Sequence, residues 1–250
     1  MTADGWARTV RHRLGVGRLL PLGEPGDGAW IAEEAAAAVL RHAAAGLPGV
    51  RLDVLRIALT DPEDAHAPVV PPPPSALPPG PLRITADFAA TTAEPLPATA
   101  TLLRTTLATA ATHLLGLTVT EVDLRVTELL DAEEGLEEDG AGAESGAGAY
   151  HPPPAQPGPA EPETADEQRV AVAALAVPGV DRLLGGFGHR AVRLEERESE
   201  GALPRRHVRV EFAVRADHRP LDVAREVRTA VSTALPDHPT VATLVTAVGH

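Results

Sequence analysis

Leu47-Pro48-Gly49-Val50 returns later in the chain as Val177-Pro178-Gly179-Val180. The elements after each copy are alike in kind: a short apolar strand, a turn-rich gap, a second alternating strand, a helix opening near Pro-Leu, and a final β-rich segment. The alternating strand is clearest in the second copy, His207-Val208-Arg209-Val210-Glu211-Phe212-Ala213-Val214. Val208, Val210, Phe212 and Val214 share one face, and His207, Arg209 and Glu211 lie on the polar side. This is the period-two signature of a half-buried strand. Its counterpart is Leu82-Arg83-Ile84-Thr85-Ala86-Asp87-Phe88. A whole series of elements recurring at long period reads as duplication of one small α/β unit.

Outward from the first Pro-Gly pair, the first copy covers residues 30–131. Asp27 is placed to cap a helix whose buried face is Ile31, Ala35, Val39 and Ala43, with Glu33 and Glu34 in its first turn. Gly46 and Pro48 stop that helix. Leu55, Ile57 and Leu59 alternate as a strand. The Pro-rich loop 61–81 follows, and its run Pro71 to Pro74 excludes a sheet interior because proline donates no ladder hydrogen bond. After the strand Leu82 to Phe88, Pro97 suits the first turn of a helix with the stripe Ala100, Leu103, Leu107, Ala111 and Leu114. Gly116 ends it. A last strand places Val122, Leu124 and Val126 on one face.

The second copy covers residues 164–250. A helix spans about Asp166 to Ala176, and Val192 and Leu194 begin the first strand. Asp217 is placed to cap a helix near Pro220, with Ala224, Val227, Val231 and Leu235 facing inward. Thr240 to Val248 is the last strand. Each copy thus reads helix–strand–strand–helix–strand. The strand–helix–strand piece is a right-handed crossover between parallel strands. The loop-joined pair before it is antiparallel. The expected fold is α+β, two tandem two-layer units, each a small mixed sheet with helices on one face.

These residues, together with Val192-Arg193-Leu194-Glu195 and Leu221-Asp222-Val223-Ala224-Arg225-Glu226-Val227, resemble the alkaline shock protein family, the Gls-type envelope stress response domain of Gram-positive bacteria. The second copy covers that domain nearly end to end. The first matches by pattern and departs in its Pro-rich loop. The structural motif carrying the resemblance is Pro48, Gly49, Pro178, Gly179, Val208, Val210 and Phe212. The resemblance implies a non-enzymatic scaffold for cell-envelope homeostasis at the cytoplasmic face of the membrane, in contact with a small membrane-anchor protein. It is mostly known in single-domain form, so two copies in one chain leave an intramolecular pseudo-dimer and a homo-oligomer both open.

The 250 residues carry 44% hydrophobic and only 2% aromatic residues, so the cores must be built from Ala, Val and Leu. All basic side chains are Arg, and this usage matches a high-GC bacterial genome. The net charge is -13. Between Asp131 and Glu167 lie eleven acids and no Arg, which leaves the remainder near neutrality. That acidity belongs to a Gly/Pro-rich linker, 132–163, too poor in large apolar groups to offset the entropy of ordering, and disorder is expected there. Neither body has the basic excess of a nucleic-acid binder. Cysteine is absent, which excludes disulfides and thiolate chemistry. No apolar run is long enough to span a bilayer, and a cytoplasmic or peripheral location is expected.

The leader, 1–29, is basic. Trp6, Val10 and Leu14 fall at i, i+4 and i+8 among Arg8, Arg11 and Arg13. Such a helix rests on an anionic membrane surface through residues 1–20, or docks on the first copy as an extension of its core.

No residue set carries chemistry. Leu184-Gly185-Gly186-Phe187-Gly188-His189 lacks the Lys that a phosphate loop needs. The ten His show no ligand spacing on a helix, and none of Ser75, Ser145, Ser199 and Ser232 sits in a nucleophile elbow. Glu195 and Glu196 point to opposite strand faces, unsuited to acid/base work. Catalytic, cofactor and metal residues are therefore assigned to none. Two alternatives to the scaffold reading remain: a nucleic-acid-binding small α/β module, for which stacking aromatics are missing, and an uncharacterised enzyme.

Overall fold

The computed structural model describes residues 17–130, 164–185, 190–199 and 202–249. The leader residues Trp6, Arg8, Val10, Arg11, Arg13 and Leu14, the linker 132–163 and most of the glycine-rich turn after Leu184 lie outside the described residues.

The fold is α+β, with mixed sheets and helices. In chain order the described elements are β1 (Leu19–Leu22), β2 (Ala29–Ala32), α1 (Glu33–Ala45), β3 (Val50–Leu59), β4 (Leu82–Thr91), α2 (Leu96–Thr109) continued by a π-helical turn (Ala110–Leu115), β5 (Val119–Leu130), α3 (Ala165–Leu175), β6 (Val180–Leu183), β7 (Val192–Ser199), β8 (Ala202–Val214), α4 (Pro220–Ala234) and β9 (Thr240–Val248).

One sheet is three-stranded, β3-β4-β5, antiparallel then parallel. The other is six-stranded: β1-β2-β9-β8-β6, with β7 also on β8. There β6 and β7 run antiparallel to β8, and β8 runs parallel to β9. Both halves therefore place a helix in the crossover between parallel strands. They differ at one strand. β3 pairs with β4 from Val50↔Ala90 to Leu59↔Leu82. On β8 that role is split between β6 (Val180↔Val214) and β7 (Val192↔Val210).

The alternating strands behave as read. Val208, Val210, Phe212 and Val214 are fully buried, as are Leu82, Ile84, Ala86 and Phe88. Ala224, Val227, Val231 and Leu235 face inward.

Several expectations require correction. Ala29–Ala32 is a strand, so Ile31 lies in β2 and Asp27 caps no helix. The helix starts at Glu33, and its most buried side chains are Ala36, Leu40 and Ala44, one position on from the expected stripe. Alanine-rich helices offer little contrast between faces, and packing chooses the register. Part of the leader is core: Leu19, Leu20 and Leu22 are buried in β1, which pairs with β2, and β2 runs parallel to β9 of the other half. The boundary drawn at residue 29 therefore cuts a β-hairpin. In the helix before Gly116, the π turn inserts an extra residue, so Leu115 is buried and Leu114 is half exposed. The apolar row of β5 is only partly covered, and Val126 is exposed. Asp217 does not cap α4; its carboxylate sits 2.7 Å from His218 Nδ1.

Candidate interaction surfaces

The repeated Pro-Gly pairs build the same turn twice. The amide of Leu47 donates to Ala44 O, and that of Val177 to Ala174 O, closing the end of each helix. Gly49 (φ +69°) and Gly179 (φ +91°) then turn the chain through the left-handed region that L side chains avoid. Their carbonyls accept from Thr91 N and Arg215 N, both at 2.9 Å, which sets the register of the next strand pair. A Cβ at Gly179 would lie 2.6 Å from both Val223 Cγ2 and His218 Cδ2. Pro48, Gly49, Pro178 and Gly179 are thus positioned to shape the fold, and Val208, Val210 and Phe212 to fill its core.

The polar side of β8 is not solvated. His207, Arg209 and Glu211 are 4%, 8% and 1% exposed. Pro71 to Pro74 from the first half lie across from His207 and Arg209 and leave a cleft of about 220 Å³, walled on its other side by Arg193, Glu195, His207 and Arg209. Sequence reading missed this because strand alternation cannot tell water from a distant loop. The loop is well anchored. Ser75 O accepts from Leu19 N, Leu77 N donates to Leu19 O at 2.8 Å, and Trp30 Nε1 donates to Leu77 O at 3.2 Å. Arg209 Nε lies 3.4 Å from Glu211 Oε1. Burial lowers the Arg209 pKa, and Glu211 opposes that shift. His207 Nδ1 is 2.9 Å from Thr240 Oγ1. Arg193 faces Glu195 at 3.9 Å. Charges under the strap are matched by sign, which suits a clasp between halves.

Glu33 forms a second clasp. Its carboxylate accepts from Arg18 Nη2 (2.8 Å), Arg18 Nε (3.0 Å) and the Ile57 amide (3.1 Å), and Arg18 Nη2 also donates to Ile57 O. One acid thereby ties the start of α1 to β1 and β3.

The outer face of β3-β4-β5 carries alternating ion pairs. Arg83 meets Glu121 and Asp123, Arg125 meets Asp87, and Arg51 meets Asp53 and Glu128. Arg56 stands exposed on this face without an ion pair among the described residues, but acids match or outnumber Arg there, so the face lacks the cation excess that tracks a phosphate backbone.

A shallow groove of about 480 Å³ runs between α3 and α4, walled by Ala173, Ala176, Val177, Pro178 and Ala230, with Arg225 and Glu226 at its rim. Val172 (63% exposed) and Leu175 (51% exposed) stand on α3 at i and i+3, outside the residues that wall the groove, which α3 borders through Ala173 and Ala176. Among the described residues, no group of three His, Asp or Glu side chains is placed to hold a metal ion, and no helix is long and apolar enough to cross a membrane.

No protein-family model and no curated protein matches the chain.

Proposed function

We propose that this chain is a non-enzymatic scaffold for envelope homeostasis, presenting the α3–α4 groove to an amphipathic helix of a protein partner at the cytoplasmic face of the membrane. The alkaline shock resemblance supplies the setting and the class of partner, a small membrane-anchor protein. The observation that carries the reading is the groove itself. Small side chains line its floor, one charge of each sign marks its rim, and α3, which forms one wall, carries the exposed Val172 and Leu175 on another part of its surface. This is the form of a helix-in-groove site, where anchors at i, i+3 and i+4 fill a trough.

The test is affinity capture from the native membrane fraction with the full chain and with a Val172→Glu/Leu175→Glu variant. Retention of a discrete small membrane protein by the wild type, lost in the folded variant, supports the reading. An identical capture set for both, or no membrane protein in either, overturns it. Liposome co-sedimentation with and without residues 1–20 separates direct membrane contact from contact through the partner.

A further inference from the structure

The edges of the two sheets are treated unequally. β1 is covered by the Pro-rich loop, which bridges Leu19 to Ala76. β3 is broken by an irregularity between Leu52 and Leu55. β5 is the longest edge strand of its sheet, 12 residues, and among the described residues nothing pairs with its outer side. Its pairing to β4 shifts register between Leu82 and Arg83 and again between Phe88 and Ala89, so Glu121 to Val126 forms an unbroken stretch between two irregularities. Exposed edges are commonly guarded by charge of one sign, which repels a copy. This edge instead carries both signs in one row, Glu121 and Asp123 (62% exposed) with Arg125 (75% exposed).

We propose that the free edge of β5 is a self-association surface, where a second copy of this chain adds antiparallel, β5 against β5, about a two-fold axis at Leu124. A two-fold normal to the sheet keeps each side chain on its own face, so only pairs of like parity can meet. Centring on Leu124 sets Asp123 opposite Arg125 of the partner copy, and Arg125 opposite the partner copy's Asp123. Val122 meets Val126, and Leu124 meets itself, so the partly covered apolar row becomes continuous across the junction. Moving the centre by one residue either way brings Asp123 against Asp123, or Arg125 against Arg125. Centring on Asp123 would also set Glu121 opposite Arg125, but of these three registers only the one centred on Leu124 opposes no like charges. The bridging ion pairs extend those already present, because Arg125 also holds Asp87 and Asp123 also faces Arg83. One edge carbonyl, Val122 O, accepts from Arg104 Nε at 3.2 Å; this exposed contact is replaced by the partner strand's amide. The groove between α3 and α4 takes no part, so this surface stands or falls independently of the scaffold reading.

The test is sedimentation velocity on the full chain with charge-swapped variants. The wild type is expected to dimerise reversibly. Asp123→Arg and Arg125→Asp each place like charges opposite one another and weaken dimerisation by at least about tenfold. An equimolar mixture of the two variants restores it, because one copy then presents two cations and the other two anions; recovery also shows that both variants fold. The chain has no cysteine. Leu124→Cys is therefore expected to give a single cross-linked dimer under mild oxidation. A monomeric wild type, a dimer indifferent to both swaps, or a mixture that fails to recover would overturn the proposal. So would a Leu124→Cys thiol shielded from labelling in a monomer, which would place another part of the chain on the edge.

Discussion

Arg225 grips Asp27 with both arms of its guanidinium, Nε to Oδ1 at 2.8 Å and Nη2 to Oδ2 at 2.9 Å. Asp27 Oδ2 also accepts from the amide of Glu24 at 2.7 Å, which closes the turn between β1 and β2. Arg228 adds a bond to Gly26 O. A hairpin from the start of the chain is thereby fastened to the last helix. Burial alone would raise the Asp27 pKa, but the hydrogen bonds from Arg225 and Glu24 outweigh it and hold the carboxyl below its ordinary value. A depressed carboxylate stabilises the fold above its unfolded pKa of about 4 and loses that contribution as pH falls through the lower folded value. Replacing Asp27 with Asn is expected to cost about 1–2 kcal/mol at neutral pH, discounted for the exposure of Arg225. Urea unfolding of both proteins across pH should show the gap closing progressively as pH falls below the unfolded carboxyl value of about 4. A gap constant with pH would refute the ion-pair account.

The Pro-Gly turn gives a backbone prediction. Gly179→Ala forces a Cβ into the left-handed region and against Val223 and His218. Destabilisation of about 1–3 kcal/mol is expected by chemical denaturation. Gly46→Ala, at a negative φ where a Cβ would meet only Ala43 O at an ordinary 3.6 Å, is the control and should be near neutral.

Beneath the proline strap, truncating one member of the Arg209–Glu211 pair takes a counter-charge from the other, buried, member, while Arg193 and Glu195 stay close to Arg209. Glu211→Ala should lose about 3–5 kcal/mol. The double change Arg209→Met/Glu211→Leu should recover most of that loss, since it removes both charges and keeps the volume. Thermal melts of the three proteins decide; a double variant as unstable as the single one would mean that Glu211 acts through other partners.

The π turn separates two adjacent leucines. Leu115 is fully buried and Leu114 is 52% exposed. Leu115→Ala is expected to cost about 2–5 kcal/mol, and Leu114→Ala no more than about 0.5 kcal/mol. Equal losses, or the reverse order, would return the helix to an unbroken α register.

Much of the fold was legible because strand alternation and helix caps are local. Val208 to Val214 declares its buried face by parity alone, and Gly116 and the two Pro-Gly pairs declare helix ends by what their backbones permit. The buried charges were not legible. A strand of alternating Val and Arg has the same pattern whether water or a proline loop lies over its polar side. Nor was the placement of Leu19–Leu22. Four apolar residues have no period to read, and their partner β2 is itself bound to β9, near the other end of the chain.

The crossover helix between two long strands in each half, the buried faces of β4 and β8 and the two glycine turns follow from the sequence alone, since each depends on residues within a few positions of one another. The union of the first hairpin with the last sheet, the strap over His207 and Arg209, and the choice of Leu115 over Leu114 were settled only by tertiary packing. Each requires segments far apart in the chain to compete for the same apolar surface, and no local pattern records which of them wins.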